Sequence, residues 1–282
     1  MNAVKIGIIA GNRLLPLILA QRIREKNKQI TLVAFAFKGE TSNLLAHFVD
    51  KIHWLEVGKL KDLGQILQKE GINKCILAGQ INPLQIFKRK KWDQELISLV
   101  GNIKDFRPHT IFKAIINYLE KKGVEFIDSQ NFLDADLAKK GAMNNLVLNA
   151  DLKRDIDFGV KLVSSFVEMD VGQTVVVKSA SAVGLESLEG TDRTIKRAYQ
   201  LVGRGCTVLK FCKSNQDLRF DLPVVGISTL KLLKRIRAGS LVLEASKVII
   251  LEKEKFLFLA KKWGIPVIGR EKEEPLTISP LV

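Results

Sequence analysis

The sequence predicts an α/β protein of two domains, the first built on a doubly wound parallel sheet. Three observations carry this. Continuous apolar runs alternate with segments of helical spacing through the first third of the chain, glycine turns follow two of those runs, and 282 residues with 46% hydrophobic content suffice for two cores.

Val4 to Ile9 is an apolar run interrupted only at Lys5, as suits a parallel strand buried on both faces. Leu14 to Ile23 then places apolar residues at helical spacing. Between them Ala10-Gly11-Asn12 forms a strand-to-helix turn, where free backbone N–H groups and the positive end of the helix dipole suit a phosphate. A full G-x-G-x-x-G is missing, and a single glycine at such a turn serves geometry as readily as a ligand. Strand-like runs continue at Ile30 to Phe37, Ile52 to Val57 and Lys74 to Ala78, the last followed by Gly79-Gln80. This rhythm gives a Rossmann-like domain whose ligand crevice lies beyond the carboxyl ends of the strands, with both glycine turns on that edge.

Pro108 to Lys122 reads as a helix and Val124 to Ile127 as a strand, so the nucleotide-binding domain is expected over residues 1–135. Residues 136–150 are polar and are expected as a linker, leaving 151–282 as a second, α/β or α+β, domain. Asp151 is expected to cap a helix reaching Glu168, with Ile156, Val160 and Val163 on one face. Strands are expected at Thr174 to Lys178, Thr207 to Phe211, Ser240 to Leu243 and Lys247 to Leu251. Helices are expected at Thr191 to Val202, Ser228 to Ala238 and Glu252 to Trp263.

Composition narrows the function classes. The net charge of +15 is spread over both halves and is densest at Lys88-Arg89-Lys90-Lys91, beside Trp92. No RRM, KH, helix-turn-helix or zinc-finger pattern accompanies it, so a membrane-facing or solvated basic loop is expected and nucleic acid is not. Cys75, Cys206 and Cys212 form no C-x-x-C pair, in keeping with a reducing cytoplasm. His47, His53 and His109 are scattered without metal-ligand spacing. No signal segment or 18-residue apolar span is seen, and any membrane contact is expected to be peripheral.

Residues 213–226 are the densest source of chemistry: Asp217 and Asp221, the Gln216 amide, Lys213 and Arg219, then Pro223 and Gly226. An extended arm stopped by Pro223 sets Arg219 and Asp221 on one face and Phe220 and Leu222 on the other. On pattern alone, a solvated strand edge accounts for these residues equally well.

That arm, with Glu186-Ser187-Leu188-Glu189-Gly190-Thr191-Asp192 upstream, resembles the two-domain UDP-2,3-diacylglucosamine pyrophosphatase family of lipid A biosynthesis, unrelated to the metallophosphoesterases that perform the same step. Glu186, Glu189, Gly190, Thr191, Asp192, Lys210, Lys213, Gln216, Asp217, Arg219, Asp221, Leu222, Pro223 and Gly226 match its pattern, while Ser187, Ser214 and Val224-Val225 depart from it. The Gly11 and Gly79 turns resemble the family's more loosely, with Asn12 and Arg13 where glycines are common and Asn82 where arginine is usual. The resemblance implies cytoplasmic hydrolysis of the substrate's pyrophosphate to UMP and 2,3-diacylglucosamine 1-phosphate with Mg²⁺, and a homodimer is in keeping with it; peripheral contact with the cytoplasmic face of the inner membrane is expected of the basic cluster at Lys88 to Lys91. It further implies Asp221 as the essential carboxylate, Asp217, Glu189 and Asp192 as further catalytic acids, and Asp221 with Glu186 as metal ligands. Gly11, Asn12, Gly79, Gln80, Thr191, Lys210, Lys213, Gln216 and Arg219 are expected to bind substrate. A non-catalytic basic nucleotide- or RNA-binding protein and a soluble sugar-nucleotide pyrophosphatase are the competing readings.

Overall fold

The computed structural model describes residues 4–82, 91–103, 108–214, 217, 219 and 222–273. Of the residues singled out above, Lys88, Arg89, Lys90, Gln216, Phe220 and Asp221 lie outside the described residues, as does the side chain of His109. The chain divides into two compact units, Met1–Leu133 with Asp217–Asp221, and Asp134–Gln216 with Leu222–Val282. Residues 217–221 therefore group with the N-terminal unit, although the sequence places them in the second domain.

The N-terminal unit holds a five-stranded parallel sheet of β1 (Lys5–Ala10), β2 (Thr31–Phe37), β3 (Lys51–Leu55), β4 (Lys74–Ala78) and β5 (Glu125–Phe126), in the order β3-β2-β1-β4-β5. Its helices are α1 (Leu15–Lys26), α2 (Leu60–Glu70), α3 (Gln94–Gly101) and α4 (Pro108–Glu120). The central strand β1 is buried at every position after Lys5, which is why residues Ile6 to Ala10 carry no charged or polar side chain. Phe35, Cys75, Leu63, Ile116 and Leu119 share one core cluster fed by α2, α3 and α4. Meanwhile α1 packs against β1 and β4 and buries Leu15, Leu19 and Ile23.

The C-terminal unit is built on a mixed six-stranded sheet of β6 (Gly141–Ala142), β7 (Thr174–Lys178), β8 (Ser181–Leu185), β9 (Thr207–Lys210), β11 (Ser240–Glu244) and β13 (Val267–Arg270), in the order β6-β13-β11-β9-β7-β8. A short parallel pair, β10 (Val224–Val225) with β12 (Ile249–Ile250), stands apart from it. Alternate residues of the sheet face two helical layers. Val176, Val208, Leu241 and Val267 meet α6 (Thr191–Val202), α7 (Ile227–Arg235) and α8 (Lys253–Lys262), while Val175, Leu209, Val242 and Ile268 meet α5 (Ala150–Glu168).

Two local expectations are revised. The cap of α5 is Asn149, whose side chain accepts from the Leu152 N–H at 2.8 Å, whereas Asp151 lies in the first turn and pairs with Arg154 at 2.8 Å. The segment 136–150 carries structure of its own: Ala138 is buried in the core and β6 pairs antiparallel with β13.

Candidate functional site

In the N-terminal unit, the two glycine turns beyond β1 and β4 touch each other. The Asn12 N–H donates to the Gln80 carbonyl at 2.6 Å, closing an isolated antiparallel bridge. A Cβ on Gly11 would stand 2.3 Å from the Gln80 carbonyl oxygen, and one on Gly79, at φ +84°, would stand 2.4 Å from that of Asn12. Neither position admits a side chain without moving backbone. Arg13, where the family resemblance expects glycine, adopts φ +67°.

Glu40, three residues past β2, reaches this crossing. Its carboxylate accepts from the Asn12 amide at 2.8 Å and from the Asn82 N–H at 3.1 Å. That contact fixes the Asn12 amide with its nitrogen toward Glu40. Oδ1 of Asn12 is then buried and accepts no hydrogen bond from the described residues. An acceptor left so at a sheet's carboxyl edge is open to a water or to a ligand N–H or O–H.

A second polar node lies in the C-terminal unit. Lys210 on β9 is paired across the ladder with Thr174 on β7, and both are buried. Lys210 Nζ donates to the Thr191 hydroxyl at 2.9 Å, and that hydroxyl donates to the Glu186 carboxylate at 3.1 Å. Thr174 Oγ1 lies 3.1 Å from the same hydroxyl. Thr191 is the first residue of α6, whose N-cap is Gly190 at φ +81° without a capping side chain. A cation, a carboxylate and an uncapped helix N-terminus thus converge through one hydroxyl.

Glu189 is engaged differently. It pairs with Arg197 at 2.6 Å and accepts from the Thr194 hydroxyl at 3.1 Å, and the Arg197 contact holds its carboxyl below the usual carboxylate range. Asp192 lies in the first turn of α6. Lys213 stands 3.1 Å from Asp170.

The arm contributes Asp217 and Arg219. Nε and Nη2 of Arg219 donate to the two Asp217 oxygens at 2.9 and 2.7 Å, and Nη1 donates to Glu120 of α4 at 2.7 Å. The guanidinium depresses the Asp217 carboxyl, which makes Asp217 a poor proton acceptor and a good anchor for the arm. Sequence reasoning passed over Thr174, Glu40 and Glu120. Only Glu40 carried a signal, being an acid at the end of the second strand of a doubly wound sheet.

Family models match almost the whole chain: that of the LpxI N-terminal domain over residues 5–135 and that of the LpxI C-terminal domain over residues 139–268. The chain belongs to the LpxI family. Among curated proteins it is similar to the UDP-2,3-diacylglucosamine pyrophosphatase LpxI of Caulobacter vibrioides, with 23% identity over 96% of this chain and 99% of that one. A solved structure of the biotin carboxylase domain of Hydrogenobacter thermophilus 2-oxoglutarate carboxylase covers 71% of this chain and 41% of its own, at 10% identity and TM-score 0.28. That likeness is too slight to carry an argument.

Proposed function

We infer that this chain hydrolyses the pyrophosphate of UDP-2,3-diacylglucosamine, releasing UMP and 2,3-diacylglucosamine 1-phosphate, a step of lipid A biosynthesis. The observation that carries this reading is the match to both LpxI domains in order, together with an LpxI relative that aligns over nearly all of both chains.

The reaction breaks one bridging P–O bond as a water oxygen bonds to phosphorus, and the water proton passes to a carboxylate. We assign that carboxylate to Asp221, the residue matching the family's catalytic aspartate. Lys210 and the N-terminus of α6 are suited to charge developing on the phosphoryl oxygens, where a buried cation is worth far more than in water. Thr191 orients Lys210 and Glu186 toward one point. Asn12 and Gln80 are assigned to the substrate at the first sheet's edge, with the orphaned Asn12 carbonyl as the acceptor for a nucleoside donor. Asp217 and Arg219 are assigned to holding the arm, and Lys213 to the phosphate side.

Among the described residues no three His, Cys, Asp or Glu side chains gather as a metal cage. Mg²⁺ takes one or two carboxylates and completes its shell with water and substrate phosphate, and we assign Glu186 and Asp221 to it on the family resemblance. Bound there, Mg²⁺ would supply charge neutralisation on the diphosphate. The proposal extends to a cytoplasmic homodimer that meets the inner membrane peripherally through the basic cluster at 88–91. In support, the chain carries a net charge of +15, and among the described residues no helix is long and apolar enough to cross a membrane.

Mass spectrometry of the products tests the reading. Equimolar UMP and 2,3-diacylglucosamine 1-phosphate are expected, with turnover abolished by EDTA, restored by Mg²⁺ and lowered about 10²-fold to 10⁴-fold in Asp221→Ala. A pure, folded chain that leaves the substrate intact in Mg²⁺ would overturn the assignment, and full turnover after chelation would remove the metal from it.

A further inference from the structure

Three groups meet the Thr191 hydroxyl, and their chemistry leaves one arrangement of protons. A hydroxyl has one proton to donate and two lone pairs with which to accept. The Lys210 ammonium, 2.9 Å away, can only donate, and the Glu186 carboxylate, whose oxygens lie 3.1 and 3.3 Å away, can only accept. Lys210 therefore occupies one lone pair and Glu186 receives the proton. The second lone pair is left for Thr174 Oγ1 at 3.1 Å, so Thr174 is the donor of that contact. Were its direction reversed, the oxygens of Thr191 and Glu186 would face each other with no proton between them.

Thr174 is placed to hold that direction. It is fully buried, and among the described residues its hydroxyl has one partner, Thr191, so its proton is committed to that contact. The start of β7 also braces Glu186 through the main chain. The Glu186 N–H donates to the Thr174 carbonyl at 2.9 Å, and a Cβ on Gly172 would stand 2.3 Å from the Glu186 carbonyl oxygen. One short stretch of strand thus fixes the backbone of the carboxylate, the proton of the hydroxyl and, across the ladder, the register of Lys210.

We propose that Thr174 is a positioning residue of the hydrolase, committing the single Thr191 proton to Glu186 and so holding the lysine and the carboxylate on one hydroxyl. The inference rests on the hydrolase reading and deepens it. Without the Thr174 donor the Thr191 hydroxyl has a lone pair unfilled in a buried corner, and the cation and carboxylate lose the preorganisation on which electrostatic catalysis depends.

Substitutions at position 174 separate the hydroxyl from the packing. Thr174→Ser and Thr174→Ala lack the methyl group alike and differ only in the hydroxyl, while Thr174→Val keeps the shape and removes the donor. For UMP release from UDP-2,3-diacylglucosamine, kcat is expected to fall about 10-fold in Thr174→Val and Thr174→Ala, as one lost hydrogen bond allows, with KM within about twofold and Thr174→Ser close to wild type. In a Thr191→Val background, Thr174→Val is expected to cost nothing further, because the hydroxyl it acts on is already gone. If Thr174→Val does not fold, the Ser and Ala pair still decides. Equal losses in Thr174→Ser and Thr174→Ala, a Thr174→Val kcat within about twofold of wild type, or losses that multiply in the double variant overturn the positioning role and leave the hydrolase reading standing. A folded wild-type chain that leaves the substrate intact overturns both.

Discussion

The glycine crossing of the N-terminal unit and the hydroxyl-centred node of the C-terminal unit are both polar corners at the ends of strands, yet they are made from different material. At the crossing, backbone meets backbone: Gly11 and Gly79 are glycines because a carbonyl oxygen occupies the space of each missing Cβ. At the node, side chains meet: Lys210, Thr191, Glu186 and Thr174 project from two strands, a helix start and a loop into one hydrogen-bonded set. The first arrangement is a requirement of the fold whatever it binds, and the second can be altered one group at a time. A glycine turn is consequently weak evidence of phosphate binding. A buried lysine joined to a carboxylate through a hydroxyl is strong evidence of a site.

Gly79→Ala should break the crossing outright. The substitution meets a backbone oxygen at 2.4 Å and forces an L residue to φ +84°, so a loss of about 3 kcal/mol or more is expected in urea unfolding. A loss below about 1 kcal/mol would show that the two turns can part without cost.

Two carboxylates, one in each unit, differ in the sign of their pH dependence. Asp217 is depressed chiefly by its hydrogen bonds from Arg219, so its contribution to stability is present above the unfolded pKa and is lost as pH falls through the lower folded value. Asp217→Asn should cost about 1 kcal/mol at neutral pH, a modest figure because both partners are partly exposed, and the difference from wild type should vanish in acid. A pH-independent difference would mean that the ion pair is not its source.

Glu244 runs the other way. Burial pushes its carboxyl up, opposed by the Cys212 N–H it accepts at 2.7 Å. Its contribution is therefore fully present below the unfolded pKa and is lost as pH rises through the folded one. Glu244→Gln, which retains an acceptor for Cys212, should match wild type in acid and exceed its melting temperature at neutral pH. Lower stability of the variant at neutral pH would indicate that the ionised form is the one the fold favours.

How much of this was legible in sequence follows the same division. The strands β1, β2 and β4 announce themselves because burial on both faces demands near-continuous apolar runs, and Gly11 and Gly79 mark the turns after β1 and β4. The strands β8 and β13 went unseen: β8 is an edge strand with one buried residue, and β13 is four residues long. Glu186, Thr191 and Lys210 were reached through family resemblance. Thr174 was not, because its place depends on the antiparallel register that sets it opposite Lys210. Glu120 was hidden by distance, lying 99 residues from the arginine it pairs with. The same long-range contact groups residues 217–221 with the N-terminal unit, which local composition does not encode.

The contrast between architecture and chemistry is tested most directly by Lys210→Met, assayed for UMP release and for urea unfolding on the same preparation. Methionine keeps the length and apolar stem of lysine and removes the cation with its hydrogen bond to Thr191; because Glu186 is only half-buried, water can solvate the carboxylate left behind, and the heavy cost of stripping one partner from a fully buried pair does not arise. The expected result is a fall in turnover of about 10²-fold to 10³-fold with stability within about 1 kcal/mol of wild type. Turnover within a few fold of wild type, or a collapse of stability like that expected of Gly79→Ala, would contradict the role given to the C-terminal node.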